Sequence, residues 1–241
     1  MLSIVIPAFN EVDRIGATVA RVRAFMRSRP YRSELIVVLD GGRPGADRAI
    51  AAAAPGASDL FVLDNEQNRG KGHSVRRGVL SSRGRHVVTV DADLSLPIED
   101  TDRFVHALEA GADLAIGSRA LPDSVERGTQ QPLRHSLSRL FNWVVQRLVV
   151  SGVRDTQCGF KAYRGDCARA IFGVQRIAGF GFDVEVLRIA GRSGYRIVEL
   201  PVVCEYHATS SVRKFRHGIE MLGDLARIMW HDWRGDYRER H

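Results

Sequence analysis

The sequence lacks an apolar run of the roughly 20 residues that a membrane-spanning helix needs. Its best candidate, Leu140–Val150, is interrupted by Asn142, Gln146 and Arg147. The N-terminal apolar segment is too short for a signal peptide and has no basic residues before it. These absences predict a protein without a membrane span, located in the cytoplasm or peripherally on the inner face of the cell membrane.

Cysteine is also scarce, with 3 in 241 residues. An odd number at irregular spacing excludes a disulfide scaffold and a zinc-binding pattern, and it suits a reducing compartment. Hydrophobic residues make up 44% and charged residues 26% of the chain, which excludes a disordered or low-complexity protein. The chain is long enough for one large domain or two small ones.

Acidic residues are outnumbered, with 28 Asp and Glu against 35 Lys and Arg and a net charge of +7. This balance favours polyanionic partners such as nucleic acid, anionic lipid or phosphorylated ligands. A solvated arginine-rich surface would give the same composition, so charge alone leaves the partner open.

The first half of the chain alternates short apolar runs with helical patterns. This alternation predicts an α/β fold with a mostly parallel central sheet flanked by helices, and strands of nearly continuous apolar residues are expected to be buried on both faces. The predicted strands are Ser3–Pro7, Glu34–Asp40, Leu60–Leu63, His86–Asp91 and Leu114–Gly117. The predicted helices are Glu11–Ser28, Arg43–Ala54, Lys71–Ser81 and Ile98–Ala110.

The pattern changes after Arg119. Prolines, a glycine and charges predict a mobile loop over Leu121–Gln131, and one apolar face predicts an amphipathic helix over Leu133–Val150. The remaining predicted elements are a strand at the end of Arg154–Tyr163, helices over Phe182–Ser193 and Lys214–Trp233, and strands within Tyr195–Glu205.

Polar residues stand where predicted strands end, which is where ligands bind in parallel α/β sheets. Two carboxylates at the spacing of Asp91 and Asp93 can reach one Mg²⁺ or Mn²⁺ that also binds a diphosphate. The alternative is a pair of loop aspartates that cap the helix after Pro97. Asp40 can accept hydrogen bonds from a base or ribose, or it can cap a helix.

The segment Asn68–Gly72 combines two cations and two glycines before a predicted helix. Such a segment suits a phosphate, although an exposed turn has the same composition. The segment lacks the Lys followed by Ser or Thr that ends a P-loop. No Gly-x-Gly-x-x-Gly follows the first strand, and this absence argues against a dinucleotide-binding domain.

Five further residues could bind an anion or carry out chemistry. Arg119 follows a predicted strand, and Arg134 and Ser138 share a helix face that would suit a phosphate, although Arg134 alone could be a solvated cation. Asp155 and Asp183 could contact a sugar hydroxyl or act as a base. Each could equally be a helix cap or a member of a buried ion pair.

Taken in order, several short motifs resemble the family 2 glycosyltransferases of the GT-A fold, and within them most closely the dolichyl-phosphate β-glucosyltransferases. The resemblance extends from Ile4 to about Tyr206, with the polyprenyl-phosphate mannosyltransferases more distant. The motifs that carry it are Asn68–Gly72, Ser82–Gly84, Asp91–Asp93, Gly117–Ala120, Arg154–Lys161 and Phe182–Glu185.

The resemblance implies a division of the chain and a set of residue roles. Residues 1–120 would bind a nucleotide sugar, 121–212 the acceptor, and 213–241 would form a C-terminal helix and tail. The residues implied to bind the donor nucleotide are Pro7, Ala8, Asn10, Glu11, Asp40, Lys71, Asp91 and Ala92. Those implied for the metal are Asp91 and Asp93, those for the acceptor phosphate Arg119, Arg134 and Ser138, and those beside the sugar Asp155 and Gln157.

Two features depart from the family pattern. The family's Asp-Asp-Gly-Ser stands here as Leu39-Asp40-Gly41-Gly42, which loses the first acid and the serine. The N-terminal membrane anchor of the eukaryotic glucosyltransferases has no counterpart before the first predicted strand. Membrane attachment would then be peripheral, or the acceptor would not be a lipid.

The resemblance implies an inverting transfer of a sugar, glucose by analogy, from a UDP-sugar to a polyprenyl phosphate. An ionised phosphate needs no general base, whereas an alcohol acceptor would need Asp155 or Asp183 to take its proton. A soluble metabolite or polysaccharide acceptor remains an alternative. So does a basic module that binds nucleic acid or membrane without catalysis, although Asp40, Asp91 and Asp93 would repel nucleic acid.

Two segments have the composition of interfacial helices. The range Arg119–Arg154 carries six arginines against two acids, together with Phe141 and Trp143. The segment Trp230–Trp233 contains two further tryptophans. Both could lie on an anionic membrane or simply pack against the sheet.

Overall fold

The computed structural model describes residues 1–127, 145–147, 149–150, 152–205 and 214–237, with the backbone alone for 214–219. Its strands are β1 (Leu2–Ala8), β2 (Ser33–Leu39), β3 (Leu60–Asp64), β4 (His86–Thr89), β5 (Leu114–Ser118), β6 (Val125–Arg127), β7 (Lys161–Arg164), β8 (Ile197–Pro201) and β9 (Val203–Glu205). Its helices are α1 (Ile15–Arg27), α2 (Ala46–Ala53), α3 (Lys71–Ser81), α4 (Thr101–Glu109), α5 (Gly165–Val174), α6 (Phe182–Arg192) and α7 (Lys214–Trp233). A short 3-10 turn, Ile98–Asp100, precedes α4.

Seven strands form one sheet in the order β3-β2-β1-β4-β7-β5-β8, and β6 pairs with β9 in a separate small sheet. Among the described strands of the large sheet, only β7 runs antiparallel, between β4 and β5. The chain builds outward from β1 to β3 and then returns to place β4 on the other side of β1. The order therefore reverses between β1 and β4, which is where open α/β sheets bind their ligands.

Alternation of side chains along the central strands creates a core on each face of the sheet. In β1, Ile4 and Ile6 pack into one core and Val5 into the other. Helices α1 and α4 cover the first face, while α3, α5 and α6 cover the second. This arrangement confirms the predicted mostly parallel sheet flanked by helices.

The structure differs from the sequence predictions at several places, and the helix α5 was not among the predicted elements. Val125–Arg127, predicted as loop, forms β6, because it finds a partner in Val203–Glu205 some 80 residues later. β3 is an edge strand that leaves Phe61 and Val62 exposed, so it is not buried on both faces. β4 ends at Thr89 rather than at Asp91.

The halves divided at residue 120 share one sheet, since β7 and β8 pair with strands of the first 120 residues. Most of the predicted helix Leu133–Val150 lies outside the described residues. Within those residues, no helix combines the length and the apolar character needed to cross a bilayer.

Candidate active site

A cleft of about 750 Å³ opens at the carboxyl ends of β1, β2 and β4, at the point where the strand order reverses. Its sheet-side wall contains eight of the residues that the resemblance assigns to the donor or metal: Pro7, Ala8, Asn10, Glu11, Asp40, Lys71, Asp91 and Ala92, with Asp93 beside them. The structure therefore brings together residues that are up to 86 positions apart in the chain.

The carboxylate of Asp91 is held by a neighbouring cation. The Nζ atom of Lys71, the first residue of α3, lies 2.7 Å from Oδ1 of Asp91. Burial disfavours the charge on Lys71, but the carboxylates of Asp91 and Asp183 outweigh burial and raise its pKa above the ordinary value. Burial likewise opposes ionisation of Asp91, yet Lys71 holds the pKa of Asp91 below 3.8. Both groups are thus charged at neutral pH.

Asp93 stands in a tight turn directly after Asp91. Its Oδ1 accepts a hydrogen bond from the Ser95 backbone N–H at 3.0 Å. Leu94 in this turn has a φ of 45°, a value that residues with a side chain rarely adopt, so the turn carries backbone strain. The Thr18 hydroxyl of α1 donates to the Ala92 carbonyl at 2.7 Å and fixes the turn to the fold.

A third carboxylate, that of Glu11, lies within electrostatic reach of this pair. Burial raises the pKa of Glu11, and the charges of Asp93 and Asp91 add to the rise, while Arg14 opposes it. Oε2 of Glu11 lies 2.8 Å from Nε of Arg14, which balances part of the negative charge.

The donor set at Asp91 and Asp93 fits a magnesium or manganese ion that is completed by substrate. Among the described residues, no three His, Cys, Asp or Glu side chains are close enough together to hold a metal by themselves. Mg²⁺ sites that act on phosphates are commonly built from one or two carboxylates together with substrate phosphates and water. Asp91 and Asp93 meet that description.

Asp40 has a structural role besides the predicted contact with a base. Its carboxylate accepts hydrogen bonds from the Asn65 side chain at 2.8 Å and from the backbone N–H groups of Arg69 and Gly70, each at 2.9 Å. It is 3% exposed. Asp40 therefore holds the Asn68–Gly72 loop in place, and its contact with a nucleotide stays a prediction.

Asn10 has a φ of 57°, and its Oδ1 accepts a hydrogen bond from the Arg43 backbone N–H at 2.9 Å. Gly42 has a φ of 102°, which residues with a side chain rarely adopt, and a Cβ there would also lie 2.5 Å from that same Oδ1 atom. The glycine that departs from the family's serine at this position is thus favoured by the local backbone conformation.

Asp155 and Arg119 form a two-armed ion pair, with Nε to Oδ2 at 2.7 Å and Nη2 to Oδ1 at 2.9 Å. The backbone N–H groups of Arg119 and Gln157 also donate to Asp155. Burial acts to raise the pKa of Asp155, but Arg119 outweighs it and lowers that pKa. A carboxylate so fully engaged is a poor proton acceptor, which counts against the predicted base.

Asp183 is also engaged, because its Oδ1 pairs with Lys161 Nζ in the interior. Lys161 is 1% exposed and donates as well to the Cys158 carbonyl. Of the alternatives left open by the sequence, the buried ion pair is the one that the structure shows for both Asp155 and Asp183.

Three further predicted residues have different outcomes. Gln157 lies beside Asp155, and its buried Nε2 has no hydrogen-bond partner among the described residues. That donor could meet a bound ligand. Arg134 and Ser138 lie outside the described residues, so their predicted contact with an acceptor phosphate stays a prediction.

The opposite wall of the cleft was not predicted from the sequence. This wall consists of the loop Arg176–Phe180 and of one face of α7: Glu220, Met221, Asp224, Arg227 and His231. The spacing of 220, 224, 227 and 231 is that of one helix face. The recurrence of polar residues at this spacing was the signal in the sequence.

Glu185 of α6 fixes the loop in that wall. Its carboxylate accepts from the backbone N–H groups of Arg176 at 2.9 Å and Ile177 at 2.8 Å, and from the Tyr237 hydroxyl at 2.8 Å. The loop packs in turn on Gly72, where a Cβ would overlap the Ile177 carbonyl. The two walls are therefore joined through the start of α3.

Comparison with known proteins identifies the family. Residues 3–172 match the family model described as Glycosyl transferase family 2. The dolichyl-phosphate β-glucosyltransferase of Dictyostelium discoideum is 34% identical over 94% of this chain and 73% of that protein. The enzyme of the same name from Drosophila melanogaster is 32% identical over 94% of this chain and 74% of that protein.

A solved structure shows the same architecture. Glucosyl-3-phosphoglycerate synthase from Mycobacterium tuberculosis, crystallised with Mn²⁺, UDP and glucosyl-3-phosphoglycerate, matches with a TM-score of 0.69. The identity is 17%, and the match covers 95% of this chain and 79% of that one, which supports the GT-A fold. By its family match and its relatives, the chain belongs to the family 2 glycosyltransferases and is a glycosyltransferase.

Proposed function

We propose that this enzyme transfers glucose from UDP-glucose to a polyprenyl phosphate and inverts the anomeric configuration. The observation that carries the donor half is the cleft in which Asp91, Asp93 and Lys71 meet at the reversal of strand order. The curated relatives are named for glucose transfer to dolichyl phosphate, which supports the acceptor half.

The carboxylates Asp91 and Asp93 would hold Mg²⁺ or Mn²⁺ together with the donor diphosphate. When bound, the ion would neutralise the charge that develops on the departing UDP. The solved neighbour crystallised with Mn²⁺ and UDP supports this assignment. Lys71 keeps Asp91 ionised and oriented through their 2.7 Å contact, which prepares the site for its ligand.

The state of the predicted bases favours a phosphate acceptor over an alcohol. Asp155 and Asp183 are both committed to buried ion pairs. A lipid phosphate is already ionised near neutral pH, so its oxygen can attack the anomeric carbon without losing a proton in the same step. Arg119, at the end of β5, is paired with Asp155, so its predicted contact with the acceptor phosphate stays a prediction.

The acceptor also implies where the enzyme works. A polyprenyl chain is confined to a bilayer, so we propose that the protein acts peripherally on the cytoplasmic face of a membrane. Nucleic acid is not proposed as a partner, because the cleft has acidic groups at its centre.

The decisive experiment is an acceptor screen with UDP-[¹⁴C]glucose and Mn²⁺. Undecaprenyl phosphate and dolichyl phosphate in detergent, 3-phosphoglycerate, and water alone are compared in parallel. We expect label in the organic phase only with the polyprenyl phosphates. Label in the aqueous product with 3-phosphoglycerate would favour the soluble acceptor, and transfer to none of them would overturn the proposed function.

A further inference from the structure

Helix α7 has a second apolar face that lies outside the core formed by the described residues. Leu225 and Ile228 point inward and are 5% and 0% exposed. On the outer side, Leu222 is 55%, Met229 46%, Trp230 54% and Trp233 79% exposed. Together with the exposed Ala226, these residues recur at helical spacing and form one strip, called here the outer stripe.

The outer stripe is an interaction surface rather than a scatter of exposed side chains. The rings of Trp230 and Trp233 lie 5.5 Å apart, centroid to centroid, and leave most of Trp233 in solvent. Isolated exposed apolar residues are ordinary, but a contiguous aromatic patch marks a site for a partner or a membrane.

Charge next to the stripe favours an anionic lipid surface. The Arg234 guanidinium lies 5.8 Å from the centre of the Trp230 ring, and Arg227 extends from the same helix with 72% of its side chain exposed. The acids of this helix segment point away from the stripe: Asp224 is 6% exposed and pairs with Arg227, Asp232 pairs with Arg188 and Arg192, and the exposed Glu220 lines the cleft. Tryptophan with outward cations and inward acids is the pattern of an interfacial helix.

The stripe is fixed in relation to the cleft. Asp224, Arg227 and His231 of α7 line the cleft, while the stripe lies on another side of the same helix. An α-helix with side chains is only about 10–12 Å across. A surface that touches the stripe therefore lies beside the cleft.

We propose that the outer stripe docks on an anionic bilayer, with Trp230 and Trp233 among the lipid headgroups. A lipid-borne acceptor would then reach the cleft from the membrane that holds the enzyme. The identity of that acceptor rests on the proposed function, whereas binding to the bilayer does not.

Vesicle flotation of the full chain tests the proposal. Vesicles of phosphatidylcholine with phosphatidylglycerol are compared with phosphatidylcholine alone, using the wild type and the double variant Trp230→Ser with Trp233→Ser. The variant loses two indoles that lipid would partly bury, so its partitioning into the anionic vesicles should be weaker by at least about tenfold. The matched control is Phe61→Ser with Val62→Ser on edge strand β3, where the exposed fractions are 40% and 42%. This control should bind like the wild type.

A second measurement places the tryptophans in the lipid. In a Trp143→Phe background, the two remaining tryptophans are Trp230 and Trp233. Their fluorescence should shift to the blue on anionic vesicles and be quenched by brominated lipid. Equal binding by the stripe variant and the wild type, or tryptophans that brominated lipid leaves unquenched, would overturn the proposal. So would a dimer that the stripe variant converts to monomer with vesicle binding unchanged.

The docking surface and the proposed acceptor can be rejected independently of each other. Transfer to detergent-dispersed polyprenyl phosphate combined with stripe-independent vesicle binding would reject the docking surface and keep the proposed function. Stripe-dependent vesicle binding without transfer to any polyprenyl phosphate would keep the surface and reject the acceptor.

Discussion

Gly159 lies directly against the carboxylate of Asp91. A Cβ at Gly159 would overlap Oδ2 of Asp91, and the atoms it would meet all belong to that carboxylate. Lys71 contacts the other oxygen, Oδ1. The position of Asp91 is thus set by a cation on one side and by a missing side chain on the other.

The variant Gly159→Ala should therefore lose activity while keeping its fold. A displacement of about 1 Å in a catalytic group can cost about 100-fold in rate, and we expect at least that loss in kcat. The measurement is kcat beside urea unfolding. The control is Gly191→Ala in α6, where a Cβ has no heavy atom within 4 Å. It should retain activity and gain up to about 1 kcal/mol of stability. A fully active Gly159→Ala enzyme would contradict the role given to Asp91.

The variant Asp93→Ala should reduce kcat by about 100-fold or more, because an electrostatic contact to the leaving group is removed. Chelation of divalent ions should abolish wild-type activity, and added Mn²⁺ should restore it. Isothermal titration with UDP and Mn²⁺ should show weaker binding in the variant. Asp47→Ala, an exposed carboxylate on α2 outside the cleft, is the control and should behave as wild type. An unchanged kcat in the Asp93→Ala variant would contradict the assignment of Asp93 as a metal ligand.

The ion pair of Asp155 and Arg119 predicts a specific acid sensitivity. Because the pKa of Asp155 is lower in the folded than in the unfolded chain, the pair contributes stability above about pH 4 and loses it as pH falls further. Asp155→Asn should cost about 3 kcal/mol at pH 7 and flatten the decline in unfolding free energy below pH 4. Urea unfolding at a series of pH values from about 3 to about 7 measures both effects.

An exposed pair provides the comparison for that experiment. Arg21 and Glu99 lie 3.3 Å apart with side chains 60% and 54% exposed. Glu99→Gln should change stability by less than about 1 kcal/mol and leave the acid slope as in the wild type. An Asp155→Asn variant with the wild-type slope would show that another group governs acid unfolding.

The hydrogen bond from Tyr237 to Glu185 ties the end of the chain to the cleft wall. Tyr237→Phe should cost about 1–2 kcal/mol, because a buried acceptor loses its donor. The affinity for UDP should also fall, since the same carboxylate holds the backbone of Arg176 and Ile177. The control is Tyr31→Phe, whose hydroxyl donates to Asp102 near the surface at 2.9 Å. Equal unfolding free energies and UDP affinities in the two variants would argue against the link.

Local pattern was enough to predict the sheet and one wall of the site. β-branched runs that alternate with helical segments predicted most of the elements but not α5, and the rule that ligands bind at strand ends placed Asp91 and Asp93 in the cleft. The same reasoning missed β6, because a three-residue strand exists only through its partner Val203–Glu205. Glu185 was named within the motif Phe182–Glu185, but its role was not predicted, because that role depends on backbone donors brought to it by folding.

The amino-acid sequence alone determined which residues could bind a metal or a phosphate, because side-chain chemistry and strand periodicity are local properties. Tertiary structure decided what each group is free to do. It committed Asp155 to Arg119, Asp183 to Lys161 and Asp40 to the Asn68–Gly72 loop, and it turned Trp230 and Trp233 outward. The reason is that a charge or an indole acquires its role from the partners, burial and solvent around it, and these come from segments far apart in the chain.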